Sequence, residues 1–145
     1  MMKIIKISFA LSAICLLMLS CKTVAQSSNI KSISYSHTFG RGGSTNITAT
    51  PDSLESVARG GRTKQFPTLK KKINAKDWEK LVSGINISTL EKTVSGERRG
   101  HYDGPDQIFR IIKKKKEYNV PTESAGYKQL EKLKTELNNL LPQYK

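Results

Sequence analysis

Residues 32–39 read SISYSHTF. Ile33, Tyr35, His37 and Phe39 alternate with Ser32, Ser34, Ser36 and Thr38, and a period of two is the mark of a strand buried on one face only. The aromatic set is expected on the core, the hydroxyl set on solvent or a second layer. His37 falls on the apolar face, where most histidines are packed rather than catalytic. Around this strand the chain reads as α+β: an antiparallel sheet of about five strands with two helices on one face, in the order β-β-β-α-β-β-α.

Downstream, Gly40-Arg41-Gly42-Gly43 turns the chain into a second strand over Thr45–Thr50, rich in threonine and isoleucine. Pro51-Asp52-Ser53 is the next turn: proline presets φ, and Asp or Ser bonds nearby backbone. Leu54–Arg59 returns as the third strand, ended by Gly60-Gly61. The glycine run before Ser44 lacks the lysine and the following helix of a phosphate loop. Arg41-Gly42-Gly43 and Arg59-Gly60-Gly61 are two isolated copies beside strands, so they read as turns rather than an RNA-binding array. Their arginines share one sheet edge if strands two and three form a hairpin.

Residues 62–72 read as a basic connection. Asn74, with Asp77 in the first turn, then caps a helix. Trp78, Leu81, Val82 and Ile85 follow at i, i+3, i+4 and i+7, one stripe to lie on the sheet. Ile85, Ile87 and Leu90 continue as a short, extended segment. Gln107–Ile112 is the most apolar strand, and Glu117–Val120 pairs with it across a tip of Lys113, Lys114, Lys115 and Lys116. That tip reads two ways. Each lysine near an anionic bilayer contributes about 1 kcal/mol; equally, lysines solvate a turn and block edge pairing. Ser124 is expected to cap a last helix carrying Tyr127, Leu130, Leu133, Leu137, Leu140 and Leu141.

The N-terminus carries the address. Lys3 and Lys6 precede an apolar run from Ile7 to Leu19 broken only by Ser8 and Ser12. This is shorter than the roughly 20 residues of a membrane-spanning helix and has the form of a signal peptide. It ends in Leu17-Met18-Leu19-Ser20-Cys21, which resembles a lipobox, the bacterial lipoprotein processing site, with Met18 where leucine is usual. The resemblance implies a diacylglyceryl group on the Cys21 thiol and cleavage before it. Two or more chains hold stably where one does not, at about 0.8 kcal/mol per buried methylene. The competing reading is cleavage after Ala25, in Thr23-Val24-Ala25, giving a soluble secreted protein. Lys22 stands where an aspartate commonly marks inner-membrane retention, so the resemblance favours the outer membrane, facing the periplasm. In this respect the chain is similar to the small envelope lipoproteins of Gram-negative bacteria. The division is then a signal peptide over 1–20, a lipidated tether over 21–31 and one α+β domain over 32–145.

Cys15 leaves with the leader, so the domain has no internal disulfide and stands on packing alone. Of the 145 residues, 25 are basic and 12 acidic, a formal charge of +13; without Lys3 and Lys6 it is +11. Such a surface suits an anionic envelope component or simply keeps the domain soluble, and export argues against nucleic acid. The one loop with chemistry-bearing residues holds His101, Asp103 and Asp106, followed through Asp-Gly-Pro turn signals. Neither a metal site nor a catalytic dyad is complete there. The sequence therefore points to a non-enzymatic, lipid-anchored binding or structural module. No cofactor or metal is called for. The candidate anionic contacts are Arg41, Arg59 and Lys113–Lys116. The alternative is a small secreted hydrolase or metal-dependent enzyme built on the His101–Asp106 loop.

Overall fold

The computed structural model describes residues 29–63, 65–92, 105–122, 124 and 126–142. The leader, Cys21, His101 and Asp103 lie outside the described residues. The fold is α+β, on a six-stranded antiparallel sheet. Its strands are β1 (Ile30–Phe39), β2 (Ser44–Ala49), β3 (Ser53–Arg59), β4 (Leu69–Lys72), β5 (Pro105–Lys113) and β6 (Lys116–Pro121), in the spatial order β4-β3-β2-β1-β5-β6. Three helices cover one face: α1 (Ala75–Ser83), α2 (Ile87–Glu91) and α3 (Glu131–Asn139).

The alternation of β1 decides the two faces. Ile33 and Tyr35 are buried, and they stand opposite Ile111 and Phe109 on β5 and Ala49 and Ile47 on β2. Phe109 is fully buried, its ring 4.9 Å from that of Tyr35 and 5.5 Å from that of Tyr127, inside the range where tilted rings attract. Leu81 and Val82 of α1, Ile87 and Leu90 of α2, and Leu133 and Leu137 of α3 close the same core. The opposite face carries the hydroxyl set. Ser34 bonds Thr48 at 3.0 Å, Asn46 donates to Ser36 at 2.6 Å, and Thr48 donates to Asn46 at 2.9 Å.

The observed order is β-β-β-β-α-α-β-β-α, one strand and one helix more than the alternating patterns suggested. β4 reads Leu-Lys-Lys-Lys, with no alternation to betray it, because it is an edge strand whose lysines are exposed and discourage further pairing. It is fixed by its register, Ser56 to Leu69 and Ser53 to Lys72, and by Ser56 Oγ donating to the Pro67 carbonyl at 2.6 Å. The segment expected to be extended at Ile87 is instead helical. Asn86 Oδ1 accepts from the Thr89 amide at 3.3 Å, and Ile87 and Leu90, three apart, both reach the core. An asparagine cap was the available signal.

Asn74 caps α1 as its spacing indicates, accepting the Asp77 amide at 2.8 Å. Trp78 is only partly buried, at the margin of the core, and Phe109 is the largest fully buried side chain among the described residues. Ser124 does not cap α3: its hydroxyl donates to the Pro121 carbonyl, and a 3-10 turn over Lys128–Leu130 leads into the helix. β1 begins at Ile30, two residues before the expected domain boundary. Among the described residues no helix is long and apolar enough to cross a membrane.

Candidate functional site

The sequence grouped the arginine turns and the lysine tip as one contact surface; the register separates them. Ile30 pairs with Lys113 and Phe39 with Pro105, so β1 starts where β5 ends. The lysine tip therefore stands at the end of the sheet where the chain enters β1. Arg41 and Arg59 stand at the other end. There the turn over Gly40–Gly42 meets the β3 terminus, and Ser44 pairs with Arg59. The two arginines do share one sheet end, since β2 and β3 form an antiparallel hairpin. Asp106 is a strand residue of β5 opposite Thr38, not a loop residue. By its parity it lies on the face away from His37, whose partner is Gln107. Among the described residues no cluster of three or more metal-ligating side chains forms.

At the lysine end, β5 and β6 are joined by a two-residue loop, Lys114-Lys115, with Lys113 pairing Lys116. Lys114 has φ 55, a left-handed conformation that side chains with a Cβ rarely take. Lys114, Lys115 and Lys116 are exposed and Lys113 half-buried. Lys116 lies 3.7 Å from Glu91 and 5.1 Å over the Tyr118 ring. The Lys114 amide donates to the Asn29 carbonyl at 3.2 Å. This bond ties the entry of the chain to the lysine loop. Lys31 and Lys72 add to this end, against Asp52, Glu91 and Glu117.

Beside the arginine end, on the helix face, lies a cavity of about 460 Å³ that motif reading did not find. Its floor is Tyr35, His37 and Phe39 of β1 with Thr45 and Ile47 of β2; one wall is Gln65, Phe66 and Pro67 of the β3–β4 connection; the other is Lys134 and Asn138 of α3. The alternation of β1 places its three rings on this floor, the His37 and Phe39 centroids 4.0 Å apart. His37 is thus half-buried at a cavity rather than packed in the core. No spacing along the chain announces what stands over it, because the floor and the two walls come from distant segments.

One atom organises the polar side. Gln107 Oε1 accepts from the Tyr35 hydroxyl at 2.6 Å, the Lys134 ammonium at 3.1 Å and the Tyr127 hydroxyl at 3.2 Å. Three donors converge on it, which assigns the oxygen rather than the amide nitrogen to this position. Lys134 also lies 5.2 Å over the Tyr35 ring. Burial pushes the Tyr35 phenol up to about 12, partly opposed by its bond with Tyr127. Burial first, then the neighbouring Tyr35, pushes Tyr127 to about 12 as well. Both hydroxyls therefore stay protonated as donors. Burial, and then the charge of Lys134, hold the His37 imidazole below its ordinary 6.5, so it is neutral at pH 7.

This depression has a consequence for stability. The unfolded chain takes up a proton near pH 6.5 that the folded His37 refuses. Stability is therefore expected to fall as pH drops through 6.5, and to level off below the folded value. Lys134 is the charged group that faces His37 from the helix; Tyr35, on its own strand, is uncharged in this range. Denaturant unfolding at about pH 7.5 and about pH 5.5 checks this: His37→Gln should flatten the fall, while His101→Gln should leave His37's share in place.

No family model, curated protein or solved structure matches the chain.

Proposed function

We propose that the protein is a lipid-anchored, non-enzymatic envelope module, held by an acylated Cys21 with its lysine end toward the bilayer. The outer membrane, facing the periplasm, is the location the leader favours. The observation that carries the orientation is the Asn29–Lys114 bond: the chain leaves the putting-down point of the anchor and enters the domain beside the lysine loop. Eight positions separate Cys21 from Asn29, a reach of at most about 28 Å when fully extended. A tether of that length lets the lysines come down to the headgroups, whose charge is felt within a Debye length of about 10 Å, so acyl chains and basic residues reinforce each other. The arginine end and its cavity then face away from the membrane, available to a ligand or partner.

Vesicle binding of a Cys21→Ser form isolates the electrostatic part. On phosphatidylglycerol-containing vesicles, changing Lys113, Lys114 and Lys115 together to Gln should weaken binding roughly 100-fold, at about 1 kcal/mol per lysine. Lys116 is left in place because Glu91 already faces it. Changing Arg41 and Arg59 to Gln should leave binding as it was. Equal loss from both sets, or none from the lysines, refutes the orientation.

A further inference from the structure

The cavity over β1 has a lining that specifies a ligand class. Its body is apolar and aromatic, from Tyr35, Phe39, Ile47 and Phe66, the usual make-up of a small-molecule pocket, and its volume lies within the usual few hundred Å³. Its charge is one-sided. Among the described residues Lys134 is the only charged side chain lining it, and no carboxylate does. Lys134 is half-buried and makes no ion pair among the described residues; its partner is the neutral Gln107. Glu131, one turn earlier on α3, lines a neighbouring groove that Lys134 also borders, but the two form no ion pair, and Glu131 does not line this cavity. A partly desolvated ammonium without a counter-charge favours an anion in its place.

We propose that this cavity binds a small monocarboxylate with an apolar chain or ring, its carboxylate against the Lys134 ammonium beside His37 and its apolar body over Phe39 and Phe66. Lys134 has three donor hydrogens and Gln107 engages one, leaving others for a carboxylate. The neutral imidazole of His37 supplies a further donor from its ring N–H, and Asn138, whose amide already donates to the Lys134 carbonyl at 2.8 Å, keeps its second amide hydrogen. One fixed cation matches one negative charge. A phosphate dianion would bring a second charge into an apolar setting where, among the described lining residues, no second cation neutralises it. The inference is independent of the anchor: it depends on the cavity alone and holds whichever way the domain faces.

The test uses the full protein in nanodiscs and 4-phenylbutyrate as probe, with binding read by calorimetry and by the His37 imidazole resonance. Saturable binding is expected, with 4-phenyl-1-butanol at least tenfold weaker because it lacks the charge. Lys134→Gln should weaken the carboxylate at least tenfold and leave the alcohol nearly unchanged, whereas Lys132→Gln, on the exposed side of α3, should change neither. Binding should also raise the His37 pKa, since a negative charge then stands beside it. That readout needs no variant, so a misfolded Lys134→Gln does not rescue the proposal. Equal affinity for the alcohol, tighter binding of 4-phenylbutylphosphonate, an unmoved His37 resonance, or no saturable binding overturns it.

Discussion

Replacing Gly43 with alanine is expected to destabilise the domain by about 3–5 kcal/mol, near the top of the range for a single substitution. Gly43 has φ 116 and ψ −162, a region essentially closed to residues with a side chain. A Cβ there would lie 1.9 Å from the Arg59 carbonyl oxygen and 2.8 Å from its carbon. Both are backbone atoms, so no rotamer change relieves the contact. Across the gap, a Cβ on Gly60 (φ 94) would meet the Gly43 Cα at 2.5 Å. The two glycines thus let two backbones touch where β2 and β3 come together, and Gly43 also accepts the Phe39 amide at 2.8 Å to close the β1–β2 turn. Pushing them apart opens both hairpins at the cavity end. A melting temperature lower by at least about 12 °C is the expected reading. Gly61 is the internal control: a Cβ there meets nothing within 4 Å, so Gly61→Ala should stay within about 0.5 kcal/mol of the parent. Equal melting temperatures for the two variants would show that the glycine turns do not pack as described.

The second large effect falls on Gln107. Gln107→Leu preserves approximate shape but removes the acceptor of three donors, two of them on the buried rings Tyr35 and Tyr127. Stranded buried donors cost about 1–3 kcal/mol each where water does not replace the lost partner. The open cavity lets water reach part of the cluster, so a total loss of about 2–4 kcal/mol is expected. Gln107→Glu keeps the acceptor and adds a charge facing Lys134, so it should retain most of the stability at neutral pH. A role in filling space alone would give the reverse order, with leucine tolerated and glutamate, a charge at the edge of an apolar core, damaging. Equilibrium denaturation of the pair separates the two accounts.

Much of this fold was legible because it is written locally. The alternation over Ile33–Phe39 orients the central strand, and Asn74 with Asp77 marks a helix start that the structure reproduces. The lysine hairpin is also local, though its loop proves tighter than four residues. What was not legible is set by neighbours distant in sequence. β1 lies between β2 and β5, and only that arrangement reveals that the lysine tip and the arginine turns occupy opposite ends. The cavity joins residues 35–47, 65–67 and 134–142, so its one signal in the sequence was three rings spaced two apart. Lys134 sits among other lysines of α3 with nothing in its spacing to distinguish it; Gln107, seventy-two positions from Tyr35 in sequence, is what singles it out.

The proposed function hangs from residue 21, and the intact mass of the protein extracted from envelope membranes tests it most directly. A chain that starts at Cys21 and carries a diacylglyceryl group, with or without a third acyl chain, is the expected product. A chain that starts at Gln26, or one whose cysteine is unmodified, would contradict the anchor and with it the bilayer-facing lysine end.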